Sequence, residues 1–173
     1  MKSTANILST RNARSGFSLF ELAISSLLTG VLLVASLQSV SSSMISQRIM
    51  SDRAKASLLA DGMAMEIHQQ AYMEPGTSSS SISRESGESA GFRANYDDVD
   101  DYYGWSESPP SNKDGTKMDS LTGYQRSVTV TWVLATNLAT SSATETGVKK
   151  AVVTVRLNGT VLATRVLVRT KGS

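Results

Sequence analysis

The stretch FSLFELAISSLLTGVLLVASL, residues 17–37, decides how the rest of the chain is read. It is mostly apolar over 21 residues. At about 1.5 Å rise per residue, a helix of that length spans roughly 30 Å, the thickness of a bilayer's hydrocarbon core. Lys2, Arg11 and Arg14 precede it with no acid among them. That asymmetry predicts a cytoplasmic N-terminal side, with the bulk of the chain beyond the membrane. Glu21 is the one charged residue inside the run. A carboxylate in a spanning helix costs about 2.5–3.5 kcal/mol on insertion scales, so it calls for a partner.

Three readings of this segment compete. A secretory signal peptide would place a small-residue cleavage site near Ala35 or Ser36. The long leader, the long apolar run and the internal acid argue against it. A plain signal anchor accounts for everything except Glu21 and the junction Gly16-Phe17. In that reading Glu21 reaches the headgroups near the cytoplasmic end.

The third reading starts from the junction. RSGFSLFEL, residues 14–22, resembles the cleavage and N-methylation motif of type IV prepilins and of type II secretion pseudopilins. Four features coincide: a basic leader, a Gly-Phe junction, a Glu at the fifth position after it, and an apolar run without other charges. The resemblance implies removal of residues 1–16 by a prepilin peptidase at the Gly16–Phe17 bond, and methylation of the new Phe17 amine. It also implies an assembly role for Phe17 and Glu21. A free amine and a lone carboxylate are each costly in a membrane. Pairing Glu21 of one subunit with the Phe17 amine of its neighbour removes both unpaired charges in one contact. The implied partners are the peptidase, other pilin subunits through the N-terminal helix, and an inner-membrane assembly platform. The implied location is the bacterial inner membrane, single-pass with a periplasmic head, and then the filament. The sequence departs from major pilins twice. Gln38 stands where many have Pro, leaving Gly30 as the weak point of the span, and no Cys is present to close a C-terminal loop. Both departures lean towards a minor pilin or pseudopilin.

Residues 17–40 are therefore assigned to a transmembrane or filament-core helix and 41–73 to its amphipathic continuation. Ile45, Ile49, Ala56, Leu59, Met63 and Ile67 fall at three-, four- and seven-residue spacings. Arg48, Asp52, Arg53, Asp61 and Glu66 supply a polar face. One helix is predicted from about residue 18 to 72, stopped by Pro75-Gly76. His68, the only histidine, reads as an ordinary surface or interface residue, and Met63 and Met65 as core and surface filling.

Residues 74–126 form a Ser-rich, then acidic and aromatic, loop region. Within it NYDDVDDYYGW, residues 95–105, carries four Asp in five positions. Hard cations take several oxygen ligands, so Asp97, Asp98, Asp100 and Asp101 are candidate Ca²⁺ ligands, although their spacing is not that of an EF-hand. Asp114 is a further candidate contributor. The plainer alternative is an acidic loop packed by its aromatics and offset by basic strands. The run is similar to the acidic loop of the D minor pilins of mannose-sensitive haemagglutinin (MSHA) pili.

Residues 127–173 read as antiparallel sheet. Val128, Val130, Trp132 and Leu134 alternate with Thr129, Thr131 and Val133, and two β-rich runs flank Asn158-Gly159, a type I′ hairpin turn. Asn158 also opens a glycosylation sequon, which the turn explains better. Residues 136–147 are predicted to be a loop. Arg156, Arg165 and Arg169 could be a solvated face, a seat for the acidic loop or a contact between subunits. The fold class is thus α+β, type IV pilin-like: a long N-terminal helix packed on a small antiparallel head.

Charge narrows the function. The 173 residues carry a net charge of +2. Residues 1–16 contribute +3, 74–116 contribute −6 and 117–173 contribute +6. Without the leader the chain is slightly acidic and has no nucleic-acid reading motif, so no nucleic-acid partner is expected. The absence of Cys excludes disulfides and thiol chemistry. No nucleophile–base pair, metal-ligand set of known spacing or phosphate loop marks an enzyme. The expected role is a structural subunit of an MSHA-type filament, in initiation or at an adhesive tip. A minor pseudopilin of a type II secretion system is the close rival. A tip adhesin would bind through Tyr103 and Trp105.

Overall fold

The computed structural model describes residues 16–77, 81–89 and 92–172. The basic leader up to residue 15, with Lys2, Arg11 and Arg14, lies outside the described residues, as do three serines of the Ser-rich loop.

The helix α1 spans Leu19–His68. Its start is fixed by a capping box, S-x-x-E. Ser18 Oγ accepts the Glu21 amide at 3.1 Å, and a Glu21 carboxylate oxygen accepts the Ser18 amide at 3.3 Å. Its end falls at His68 rather than at residue 72. Gln70 N–H bonds Ile67 O in a tightened last turn. Arg169 then donates to the carbonyls of His68, at 2.7 Å, and Gln70, at 3.0 Å, closing the helix C-terminus with a cation. Ala71 leaves the helix because its backbone pairs with the acidic loop: its N–H bonds Asp97 O, and its carbonyl accepts from Val99.

Two compact units divide the chain, residues 1–47 and 48–173. In the first, large apolar side chains surround the helix from Leu19 to Leu37, and Leu19, Leu27, Leu32 and Leu37 are each more than 60 % exposed. It is long and apolar enough to cross a membrane. In the second, Ala56, Leu59, Ala60, Met63 and Ile67 form a buried stripe. Ile45 and Ile49, predicted to extend this stripe, are exposed.

The stripe packs on one antiparallel sheet. Its strands are β1 (Ser106–Glu107), β2 (Tyr124–Leu134), β3 (Asn137–Ser142), β4 (Val148–Leu157) and β5 (Thr160–Thr170). β2, β4 and β5 lie side by side in that order, and β1 and β3 both pair with β2. Tyr124, Val128 and Val130 of β2 and Ala151, Val153 and Val155 of β4 face the helix stripe. Tyr96, Val99, Tyr102 and Trp105 of the loop region complete this core. The β4–β5 turn sits at Asn158-Gly159, with φ of 49° and 84°, the left-handed pair that a type I′ turn needs.

Two strand expectations are corrected. Residues 137–142 form a strand, not a loop. It is polar and exposed along an edge, so no apolar alternation announces it. The inward alternation of β2 also changes phase: Val133 is buried whereas Leu134 is exposed, beside a register shift between Val133 and Leu134.

His68 is exposed, as predicted. Met63 is fully buried and Met65 is 65 % exposed. Met63→Ala is therefore expected to destabilise the head by about 2–5 kcal/mol, and Met65→Ala by less than about 0.5 kcal/mol. Urea unfolding of the detergent-solubilised full chain, followed by tryptophan fluorescence, measures both.

Candidate functional site

Two regions carry unusual chemistry. The first is the start of α1. Gly16 and Phe17 lie outside regular structure just before the helix, and Phe17 is 88 % exposed, so the bond between them is open to a protease. Glu21 sits in the first turn, where its carboxylate caps Ser18. The signal for that cap, Ser three residues before Glu, is present in the sequence. Further along, Ala23, Ser26, Leu27, Gly30 and Val34 line a shallow groove on one face of the helix. Small residues at 23, 26 and 30 let another helix approach closely.

The second region is the acidic loop. Basic and acidic residues first lock it to the head. Arg93, 2 % exposed, pairs with Glu66 of α1 at 2.9 Å and with Glu107 of β1 at 3.1 Å. Glu107 also pairs with buried Arg126 of β2. Both guanidinium groups lie against the Trp105 ring, with centroid distances of 4.6 and 5.7 Å. Trp105 is 1 % exposed, which removes it as the adhesive contact considered from sequence; Tyr103 is half exposed.

Lys149 of β4 makes the second lock. Its Nζ is buried and donates to Asp100 at 2.6 Å and to the carbonyl of Tyr72. Burial still pushes the Asp100 carboxyl up to about 6, against the pull of Lys149. Lys149 is thus the strand base that meets the acidic loop. The three arginines named from sequence do other work. Arg165 pairs with Asp61 of α1, Arg169 caps the helix, and Arg156 reaches Ser127.

The remaining acids are arranged around one another. Asp98 Oδ1 accepts the amides of Asp100 and Asp101, and Asp101 Oδ2 accepts those of Asp97 and Asp98, at 2.9 and 3.1 Å. Of the four predicted ligands, Asp97 and Asp101 come together with Glu88, their ligand oxygens all within 4.8 Å of one another. Glu88 also belongs to a second such group with Glu74 and Glu85. Asp100 is turned to Lys149 and Asp98 is taken up in the turn. Asp114 is exposed, accepts the Thr116 amide and belongs to neither group. The glutamates were not found from sequence because they lie in or beside the Ser-rich loop with no ligand spacing. The net charge of residues 74–116 was the only hint.

The electrostatics follow from this crowding. Burial, and then the neighbouring Glu88 carboxyl, push Asp101 up to about 8 and Glu85 up to about 7. Burial also raises Glu74 and Asp98. Among the described residues no Lys or Arg forms an ion pair with Glu74, Glu85, Glu88, Asp97 or Asp101. Arg84 donates to the backbone carbonyls of Asp101 and Tyr103.

Comparison with protein-family models, curated proteins and solved structures gave no match.

These raised carboxyls set a pH dependence. Between about pH 5 and 8 the folded head holds protons that the unfolded chain, with ordinary carboxyls, has released. Stability therefore falls as pH rises through that window. Glu107 and Asp61, whose carboxyls are lowered, lose their contribution only at more acid pH. In EDTA the melting temperature of the full chain is expected to be higher at pH 6 than at pH 8, measured by thermal denaturation in matched ionic strength.

Proposed function

We propose that this chain is a minor pilin-like structural subunit of a type IV filament of the MSHA type, in initiation or at the tip. In this reading a prepilin peptidase removes residues 1–16 and methylates Phe17. The subunit waits in the bacterial inner membrane with its head in the periplasm. It then enters the filament through α1, drawn from the membrane by the assembly platform. It is not an enzyme.

The observation that carries the reading is α1 itself. One continuous helix has a first part surrounded by large, exposed apolar side chains, and a later stripe that builds the core of a β head. A removable signal peptide would have no reason to be continuous with a core helix. The exposed Gly16–Phe17 bond, Glu21 in the first turn and the small-residue groove support the same reading. In a bundle of such helices, close packing at Gly30 supplies van der Waals contact, and the carboxylate of Glu21 meets the new amine of a neighbour. The Ser18 cap gives Glu21 a local partner until then.

Glu21→Ala is expected to leave the membrane level of the protein unchanged while reducing its recovery in sheared surface filaments at least tenfold. Gly30→Leu, which fills the groove, is expected to reduce recovery as well. Immunoblots of the membrane and sheared fractions read both variants. Normal recovery of Glu21→Ala would remove the assembly role of Glu21.

A further inference from the structure

We propose that Glu88, Asp97 and Asp101 hold a calcium ion in the head, with Glu74 and Glu85 extending the same negative pocket. The site joins the Ser-rich loop to the acidic segment, where Asp101 sits in a short 3₁₀ turn, Asp100–Tyr102, and it does not depend on which machine the subunit enters.

The argument starts with Asp101. Its side chain is fully buried. Two backbone amides hold Oδ2, which fixes the carboxylate and leaves Oδ1 buried without any hydrogen-bond partner. Carboxylate oxygens of Asp101 and Glu88 lie within 4.8 Å of each other. Two ionised carboxylates have only acceptors to offer each other, and such a pair is reconciled by a proton or by a cation between them. Asp97 brings a third carboxylate oxygen, and the three lie within the 4.8 Å that separates opposite ligands of one ion. The unsatisfied oxygens continue beyond them. Glu74 Oε2, Glu85 Oε2 and Asp98 Oδ2 are also buried without partners. Buried acceptors left unmade are costly, and here several surround one place with no ion-paired base.

The donor set selects the cation. All the donors are oxygens, with neither Cys nor His among them, which suits a hard ion over zinc or copper. They come from a loop and a short 3₁₀ turn rather than one regular array, and three or more carboxylates supply excess negative charge. Calcium accepts six to eight oxygens at about 2.3–2.6 Å in irregular geometry, whereas magnesium demands a near-octahedral shell and gives up its waters reluctantly. Backbone carbonyls and water would complete the calcium shell. The bound ion would tie the loop around residues 85–88 to the loop around 97–101, and so order the face of the head that carries Tyr103.

The test uses the detergent-solubilised full chain, stripped with a chelator and dialysed, at pH 7.5. Calorimetric titration with CaCl₂ is expected to give saturable binding with Kd below about 0.1 mM. One millimolar CaCl₂ is expected to raise the melting temperature by about 5 °C or more, and the same MgCl₂ by much less. Glu88→Gln and Asp97→Asn, which keep shape and remove charge, are each expected to weaken calcium binding at least tenfold. Asp97 is exposed and outside the core, so its variant keeps the test decisive should Glu88→Gln misfold. No calcium-dependent shift in the wild type, an equal shift with MgCl₂, or undiminished calcium binding in a folded Asp97→Asn or Glu88→Gln variant would overturn the site.

Discussion

The first part of α1 presents leucine, valine and isoleucine all round its circumference, and water is a poor solvent for that surface. Each large apolar side chain left exposed forgoes roughly 1.5–3 kcal/mol of burial. Exposed residues from Leu19 to Val40 accumulate more of this than a small head can offset. The surface must be covered, by lipid or by other helices. Either cover disfavours unpaired backbone groups, which explains an uninterrupted helix across this stretch. It also explains why its polar side chains fold inward: Ser26, Thr29 and Ser36 each bond a carbonyl of the preceding turn. Glu21 bonds differently, and its place in the first turn keeps it beside the one set of amides that the helix leaves free.

The head meets a different problem. Between α1 and β2 lie more than fifty residues with little regular structure. Buried charge positions this region. Glu66 of the helix, Arg93 and Trp105 of the loop region, Glu107 of β1 and Arg126 of β2 form one network that touches every layer. Lys149 makes a separate tie from β4 to the segment that follows the helix, at Tyr72, and to the acidic loop. Such pairs contribute little net stability once desolvation is counted, but breaking one leaves an uncompensated charge. They act as registration pins. The carboxylates these bases do not reach are the ones crowded at Glu88 and Asp101.

Much of this was legible in the sequence where a single strong pattern governed. Residues 17–37 declared an apolar helix, the spacing of Ala56, Leu59, Met63 and Ile67 declared its buried stripe, and Asn158-Gly159 declared a hairpin. What was hidden depended on partners distant in sequence. Arg93 and Arg126 look like surface bases, and nothing local says that Trp105 and Glu107 will take them inside. Asp100 looks like its acidic neighbours until Lys149 claims it. Glu88 lies in a stretch of serines, and only folding brings it to Asp97 and Asp101. β3 was missed because an exposed polar edge strand carries no alternation, and the inward turn of Val133 because a register shift overrides simple period two.

The central claim is that α1 begins, in the working protein, at a new N-terminus made by a prepilin peptidase. The most direct measurement is the intact mass and N-terminal peptide of the chain purified from its native membrane. The account predicts a chain that starts at Phe17, heavier by one methyl group on its amine. An uncut chain, or an N-terminus near Ala35 or Ser36, would contradict it.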